Sequence, residues 1–411
     1  MKKYFIFCLI IFLNKPLFSQ ENIYVKDFIY FWETFRDNYG YFDNRQTDWN
    51  KVKEIYLPEA QKIDNRTEFI SMLERVIAEL YDNHTHLLTN LSSSYRLTPS
   101  GLDIWPELEN NKYIIKEVRA GSGADFCGIK PGMEIIQINN LEIGEAIMQI
   151  TGKAINNPGK EVKEWAIRTL LAGNYETKRV LKLSYNGEEF IREPDKDKDT
   201  YSYFKYDTNI KSKILENNIG YIIINNSLGD ETTVQMFDSV LNSIWNTRAL
   251  IIDLRETPGG GSSIVARGIM SRFINEPMPY QVHLLPAEEK LTGVKRGWVE
   301  YVYPRGIMYD KPLIILVNHW TGSMGEGIAI GFDALNRAEI IGTRMAGLVG
   351  AKYDFKLPET GIGVSYSAEK LFHVNGTPRE NYVPDILVEP DDKPGDLILE
   401  TAIKFLNEKI K

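Results

Sequence analysis

The chain has 411 residues, 43% hydrophobic and 25% charged, with a formal net charge of −8. Domains run to roughly 100 to 200 residues, so this length argues against a single core and predicts two or three modules. The acidic balance argues against nucleic acid and anionic membrane as partners, and the absence of glycine, proline or glutamine tracts argues against a disordered chain.

The first residues read Met1-Lys2-Lys3, an apolar run from Tyr4 to Leu13, then Asn14-Lys15-Pro16 and a short stretch ending Ser19-Gln20. A basic start, about 10 apolar residues and a small residue before the mature chain describe a secretory signal, whereas a membrane span needs about 20 apolar residues. Cleavage after Ser19 is expected, with the mature protein exported to a periplasmic or other extracytoplasmic space and no integral span left; an uncleaved anchor is the alternative. Cleavage removes three lysines and no acid, moving the formal charge from −8 to −11. Cys8 leaves with the signal, so Cys127 stands alone and no internal disulfide can form. The five His show no metal-ligand spacing, and neither a metal nor another cofactor is expected.

Residues 20–92 are predicted to be a helical N-terminal domain. Phe28, Phe31, Trp32 and Phe35 recur at three- to four-residue spacing, as do Phe69, Met72, Leu73, Ile77 and Leu80, the apolar stripes of amphipathic helices. Asn83-His84-Thr85-His86 breaks the pattern where the last helix should end.

Over residues 93–192 the pattern changes to short strands, Tyr113 to Ile115 and Glu134 to Asn139. Between them lie a short helix around Gly123 to Cys127 and the turn Gly128-Ile129-Lys130-Pro131-Gly132. This stretch resembles a PDZ domain. The resemblance implies a groove that takes an extended peptide as an added strand, with backbone amides of Ser100, Gly101, Leu102 and Asp103 receiving its terminal carboxylate. A β-module acting only as a spacer is the plainer alternative.

Residues 193–411 alternate strand and helix. The continuous apolar runs Ile219 to Ile224, Ala249 to Leu254 and Pro312 to Val317 suit strands covered on both faces, as in an α/β layer, where functional groups gather at strand ends. Two of these runs end in glycine-rich segments, Arg255-Glu256-Thr257-Pro258-Gly259-Gly260-Gly261 and Asn318-His319-Trp320-Thr321-Gly322-Ser323-Met324-Gly325-Glu326. The second puts a hydroxyl on a strand-to-helix turn, close to backbone N–H groups and suited to nucleophilic attack. Locally the pattern is weak: such a serine is often only an N-cap, and Thr321 occupies the first position of G-x-S-x-G.

In order along the chain, Asp82-Asn83-His84-Thr85-His86-Leu87, the PDZ-like insert, Asp253 to Gly260, Ser323-Met324-Gly325-Glu326 and Glu380-Asn381-Tyr382-Val383-Pro384-Asp385 together resemble the carboxy-terminal-processing and tricorn-core serine protease family, over residues from about 25 to 390. The resemblance implies an α/β core of the ClpP/crotonase-like kind, with a helical N-terminal region and an inserted PDZ-like domain. It implies Ser323 as nucleophile, three residues before Glu326. One branch uses a Lys base, but in the corresponding stretch here, Gly342 to Gly350, Leu348 cannot take a proton. The tricorn-like branch uses a His and a Glu before a Pro-Asp pair, which correspond to His84 and Glu380; Asn83 stands where that branch often has Ser. Met324 and either Gly259 or Gly260 correspond to the oxyanion donors.

Histidine can accept and return a proton near neutrality, and a carboxylate that holds its ring stabilises the imidazolium, directly or through a relay. His86 and Lys352 are alternative bases. His319 reads as structural, His283 and His373 have no motif, Ser262 and Ser263 read as turn or N-cap residues, and Glu326 as a helix-start anchor. The implied activity is hydrolysis of unfolded or carboxy-terminal peptide segments through an acyl-enzyme. A catalytically weak or inactive peptide-binding homologue and an esterase are the competing readings, and the oligomeric state stays open.

Overall fold

The computed structural model describes residues 22–197, 204, 206–393 and 395–410. The expected signal segment, residues 1–19, lies outside the described residues. Among the described residues no helix is long and apolar enough to cross a membrane.

Three helices open the fold, Ile23–Asn38, Trp49–Ala60 and Arg66–Ala78, each started by a side chain (Asn22, Asp48, Asn65) that accepts backbone N–H groups of the first turn. The middle helix has no separate sequence signal; the crossed indole bonds Trp32 Nε1 to Trp49 O (2.7 Å) and Trp49 Nε1 to Trp32 O (3.0 Å) lock it to the first. Phe28, Phe31, Phe35, Phe69, Met72 and Leu73 are buried, but in one core with Leu357, Ile362, Val364 and Tyr366 from the far end of the chain. Three short helices cannot cover their own apolar stripes, so the helical region is completed by a sheet contributed by the C-terminal third.

A β-module follows, a six-stranded sheet running from Ile104–Glu109 to Glu188–Arg192 with helices Ile143–Ile150 and Lys160–Ala172 against it. Arg179 is fully buried between Asp103 (2.6 Å) and Asp195 (2.7 Å). Two of the four amides expected to receive a peptide carboxylate, those of Gly101 and Leu102, are engaged within the turn. Gly101 N–H donates to Leu97 O (2.6 Å) and Leu102 N–H to Pro99 O (3.0 Å), while Leu102 and Asp103 are 0% exposed. The segment is a closed turn folded onto its own carbonyls, and Asp103 faces Arg179 rather than a ligand.

The remainder forms two sheets. One has the parallel strands Ile219–Ile224, Ala249–Asp253, Leu313–Val317, Glu339–Gly342 and Ile386–Leu387, with Ile210–Leu215 antiparallel at one edge. Its central strands are buried along their whole length, as the apolar runs require. The other sheet is antiparallel, built from Met278–Leu284, Gly297–Val302, Ala351–Lys356 and Gly363–His373. A pure strand-helix alternation did not anticipate it. The short strand His86–Leu87 pairs with Val364 and Ser365 of this second sheet, which carries the segment after the N-terminal helices to the C-terminal strand ends of the first.

Candidate active site

Three loops leave the C-terminal ends of the parallel strands, at 254–262, 318–323 and 343–350. They are stitched together: Thr321 Oγ1 donates to Leu254 O (3.1 Å), Gly322 N–H to Thr257 O (3.1 Å) and Ala346 N–H to Thr321 O (3.0 Å). Ser323 caps the helix Met324–Ala334 with φ 53° and ψ −112°. Such a conformation costs a non-glycine residue about 1 to 3 kcal/mol and has to be imposed by its surroundings. Among the described residues every other positive φ outside glycine falls on Asn, which tolerates it, except Tyr81 at φ 38°. Tyr81 opens the Asp82-Asn83-His84 segment, so both unusual conformations fall in the two segments singled out from sequence.

Glu326 does more than start a helix. Fully buried, it accepts the N–H of Ser323 (2.7 Å), of Gly347 (2.9 Å) and of Leu348 (3.3 Å), binding the serine turn to the 343–350 loop. Burial raises its carboxyl to about 7, against the lowering effect of the Arg379 cation and of the N–H donors. Arg379, itself buried, holds the same loop from its other side by donating to Leu348 O (2.9 Å) and Gly350 O (3.1 Å).

The next residue of that loop reaches the histidine. His84 Nδ1 lies 2.9 Å from Val349 O. A carbonyl can only accept, so in the neutral ring Nδ1 carries the proton and Nε2 holds the free lone pair. Burial, with the Arg379 and Lys352 cations, pushes this ring down to about 3, so it is neutral at physiological pH. Its backbone is set by Asp82, whose Oδ1 accepts His84 N–H (2.8 Å) and whose Oδ2 accepts from Tyr39 OH (3.0 Å), Thr85 Oγ1 (2.7 Å) and Ser367 Oγ (2.9 Å).

Of the two expected arrangements for Glu380, a direct hold on the His84 ring or a relay, the structure shows no direct bond. Among the described residues no hydrogen bond joins it to His84, whose Nδ1 is taken by Val349. Glu380 stands on the turn Arg379–Asn381 and lines a cavity of about 340 Å³ together with Asn83 and Val349; its Oε2 is buried without a partner, and burial raises its carboxyl. The amides expected as oxyanion donors differ in whether a partner takes them. Gly259 N–H donates to Asn226 Oδ1 (2.8 Å) and is already engaged, whereas no partner within the described residues takes the N–H of Gly260 or Met324.

Of the alternative bases, His86 rests its Nδ1 on His84 O (3.2 Å), and burial lowers it to about 4. Lys352 is exposed on its strand, and Ser262 caps the helix Ser263–Met270. His319 bonds Glu117 Oε2 of the β-module (2.6 Å) and stacks on Trp105, and Asn318 Nδ2 donates to Glu117 Oε1 (3.1 Å). Trp320, Ala346 and Leu348 also join the apolar core of the β-module. Asn226, Arg379 and Glu117 were not assigned these roles from sequence, because their partners are remote in the chain; Asp82, whose partners His84 and Thr85 are local, stood in a motif without this role. Replacing Glu117 by Ala strands two buried donors at about 1 to 3 kcal/mol each. Thermal unfolding should show a stability loss of about 2 to 6 kcal/mol.

Residues 218–391 match the Peptidase family S41 and residues 22–78 the Tricorn protease C1 domain. The chain is 22% identical over 372 residues to a carboxyl-terminal-processing protease of Synechocystis sp., covering 86% of this chain and 78% of the relative. It is 22% identical over 369 residues to the tricorn protease of Thermoplasma volcanium, where 87% of this chain spans 33% of that protein. In fold it is similar to mature CPAF complexed with lactacystin, with a TM-score of 0.61, 15% identity and coverage of 94% and 97% of the two chains. Residues 218–391 thus carry a Peptidase family S41 domain and residues 22–78 a Tricorn protease C1 domain, and the chain is a serine-type peptidase, a hydrolase.

Proposed function

We propose that the protein is an exported endopeptidase that cleaves unfolded or carboxy-terminal peptide segments through an acyl-enzyme on Ser323. His84 Nε2 takes the hydroxyl proton as Ser323 Oγ attacks the peptide carbonyl, then returns it to the leaving amine. The N–H groups of Met324 and Gly260 receive the oxyanion. Glu380, facing the cavity beside Asn83, stabilises the imidazolium through a polar relay, while Val349 O keeps the ring in its tautomer. Export rests on the form of residues 1–19, and the assignment of 20–92, 93–192 and 193–411 as three modules rests on the change of pattern along the chain. The β-module acts as the PDZ-like part, docked against the serine turn through Glu117.

One observation carries this reading: a strained Ser323 at a helix start, tied through Glu326 and the 347–349 loop to a neutral, buried His84. A fluorophosphonate probe with peptide mass mapping tests it. Label is expected on Ser323 of the mature protein and absent from Ser323→Ala. An unlabelled but folded wild type would favour the inactive, peptide-binding reading.

A further inference from the structure

The first strand of the β-module, Ile104–Glu109, pairs with Lys112–Val118 along one edge, and among the described residues no strand pairs with its other edge. Pro106 stands opposite Ile115, whose own C=O and N–H are bonded on the far side, to Gly132 N–H (2.8 Å) and Met133 O (2.8 Å). Bonding alternates along an antiparallel ladder, so Pro106 and Leu108 turn their backbone groups outward, to the unpaired edge. Such an edge is a template on which an extended peptide can be added as a further strand.

Here side chains of the helix Lys160–Ala172 cover it. Glu164 Oε1 accepts Leu108 N–H (2.9 Å), and Arg168 Nη2 stands 3.5 Å from Pro106 O. The two side chains lie one helical turn apart and 3.6 Å from each other, and the Arg168 guanidinium sits over the Trp105 ring at 4.2 Å. A carboxylate oxygen on the edge N–H and a guanidinium beside the edge C=O stand where a peptide backbone would bring its own C=O and N–H. The cover is made of side chains at the helix surface, Glu164 14% and Arg168 15% exposed, and a ligand can displace them without unfolding either element. Trp105, Glu107, Glu164 and Arg168 also line the 340 Å³ cavity that holds Asn83 and Glu380, so the covered edge faces the space beside the histidine segment.

We infer that Glu164 and Arg168 form an intramolecular plug: they occupy the open edge of the β-module in the resting protein, and an extended peptide joins the sheet there only by displacing them. This rests on the peptidase reading for the peptide as substrate, and adds to it a closed state of the module and the two residues that hold it closed.

The test is fluorescence anisotropy of a short labelled peptide rich in Val and Thr, which favour an extended backbone, binding to the Ser323→Ala chain. Adding Glu164→Ala and Arg168→Ala to that chain is expected to tighten binding at least about tenfold, because the peptide no longer has to break a charged hydrogen bond to enter. Arg168→Met keeps an apolar stem over Trp105 and frees only Pro106 O, and should tighten binding by about threefold. A copy of the peptide with every backbone N–H methylated cannot donate to the edge and should gain nothing. Equal binding by the parent and the folded variants overturns the plug. An equal gain for the methylated peptide overturns it as well, since that gain would come from bared apolar surface. A gain in binding without probe labelling of the wild type counts against the catalytic reading alone; labelling of Ser323 without the gain counts against the plug alone.

Discussion

Replacing His84 by Ala is expected to slow acylation of Ser323 by on the order of 10⁴- to 10⁶-fold while leaving the fold intact, the scale set by removal of the base in other serine hydrolases. The loss is large because no second base stands ready among the described residues. His86 Nδ1 rests on the His84 carbonyl, and the 347–349 stretch contributes backbone groups only. The pH dependence carries independent information. Because burial and neighbouring cations hold the His84 ring down to about 3, the base is already unprotonated well below the ordinary value of 6.5, and the rate of probe labelling should stay level as pH falls through 6.5. An acid limb centred near 6.5 would contradict the burial of this ring. The same shift bears on stability. A depressed histidine favours the fold above its unfolded value and loses that contribution as pH falls from 6.5 toward about 3.

Glu326 is expected to matter almost as much, through position rather than chemistry. Glu326→Ala leaves the N–H groups of Ser323, Gly347 and Leu348 without an acceptor in a fully buried place. At about 1 to 3 kcal/mol for each such group, partly relieved by water entering the space, the variant should lose roughly 3 to 5 kcal/mol of stability in denaturant unfolding, and labelling of Ser323 should fall with it. Glu326→Gln keeps the shape but only one acceptor oxygen, so it gives up either the Ser323 N–H or those of Gly347 and Leu348, and it removes the titration. With its carboxyl raised from 4.5 to about 7, Glu326 favours the fold in its neutral form. That contribution is complete below pH 4.5 and is lost as pH rises through about 7, a change of about 3 kcal/mol. Wild type should therefore lose stability relative to Glu326→Gln over that interval. Parallel curves for the two proteins would show that the three N–H donors offset burial in full.

The sequence by itself determined the parts whose signals are local. The apolar runs at 219–224, 249–254 and 312–317 suited covered strands, the aromatic spacing over 28–35 and 69–77 suited one buried helix face, and a serine after Gly322, between a strand and a small-residue helix, suited a tight turn. Tertiary structure alone decided how these parts meet. Val349 O rather than Glu380 takes His84 Nδ1, Asn226 occupies the Gly259 amide, Asp103 is spent on Arg179, and the N-terminal helices finish their core with strands from the last quarter of the chain. Each of these is a backbone or buried polar group that must find a partner once water is excluded, and which partner lies within 3 Å depends on how distant segments pack.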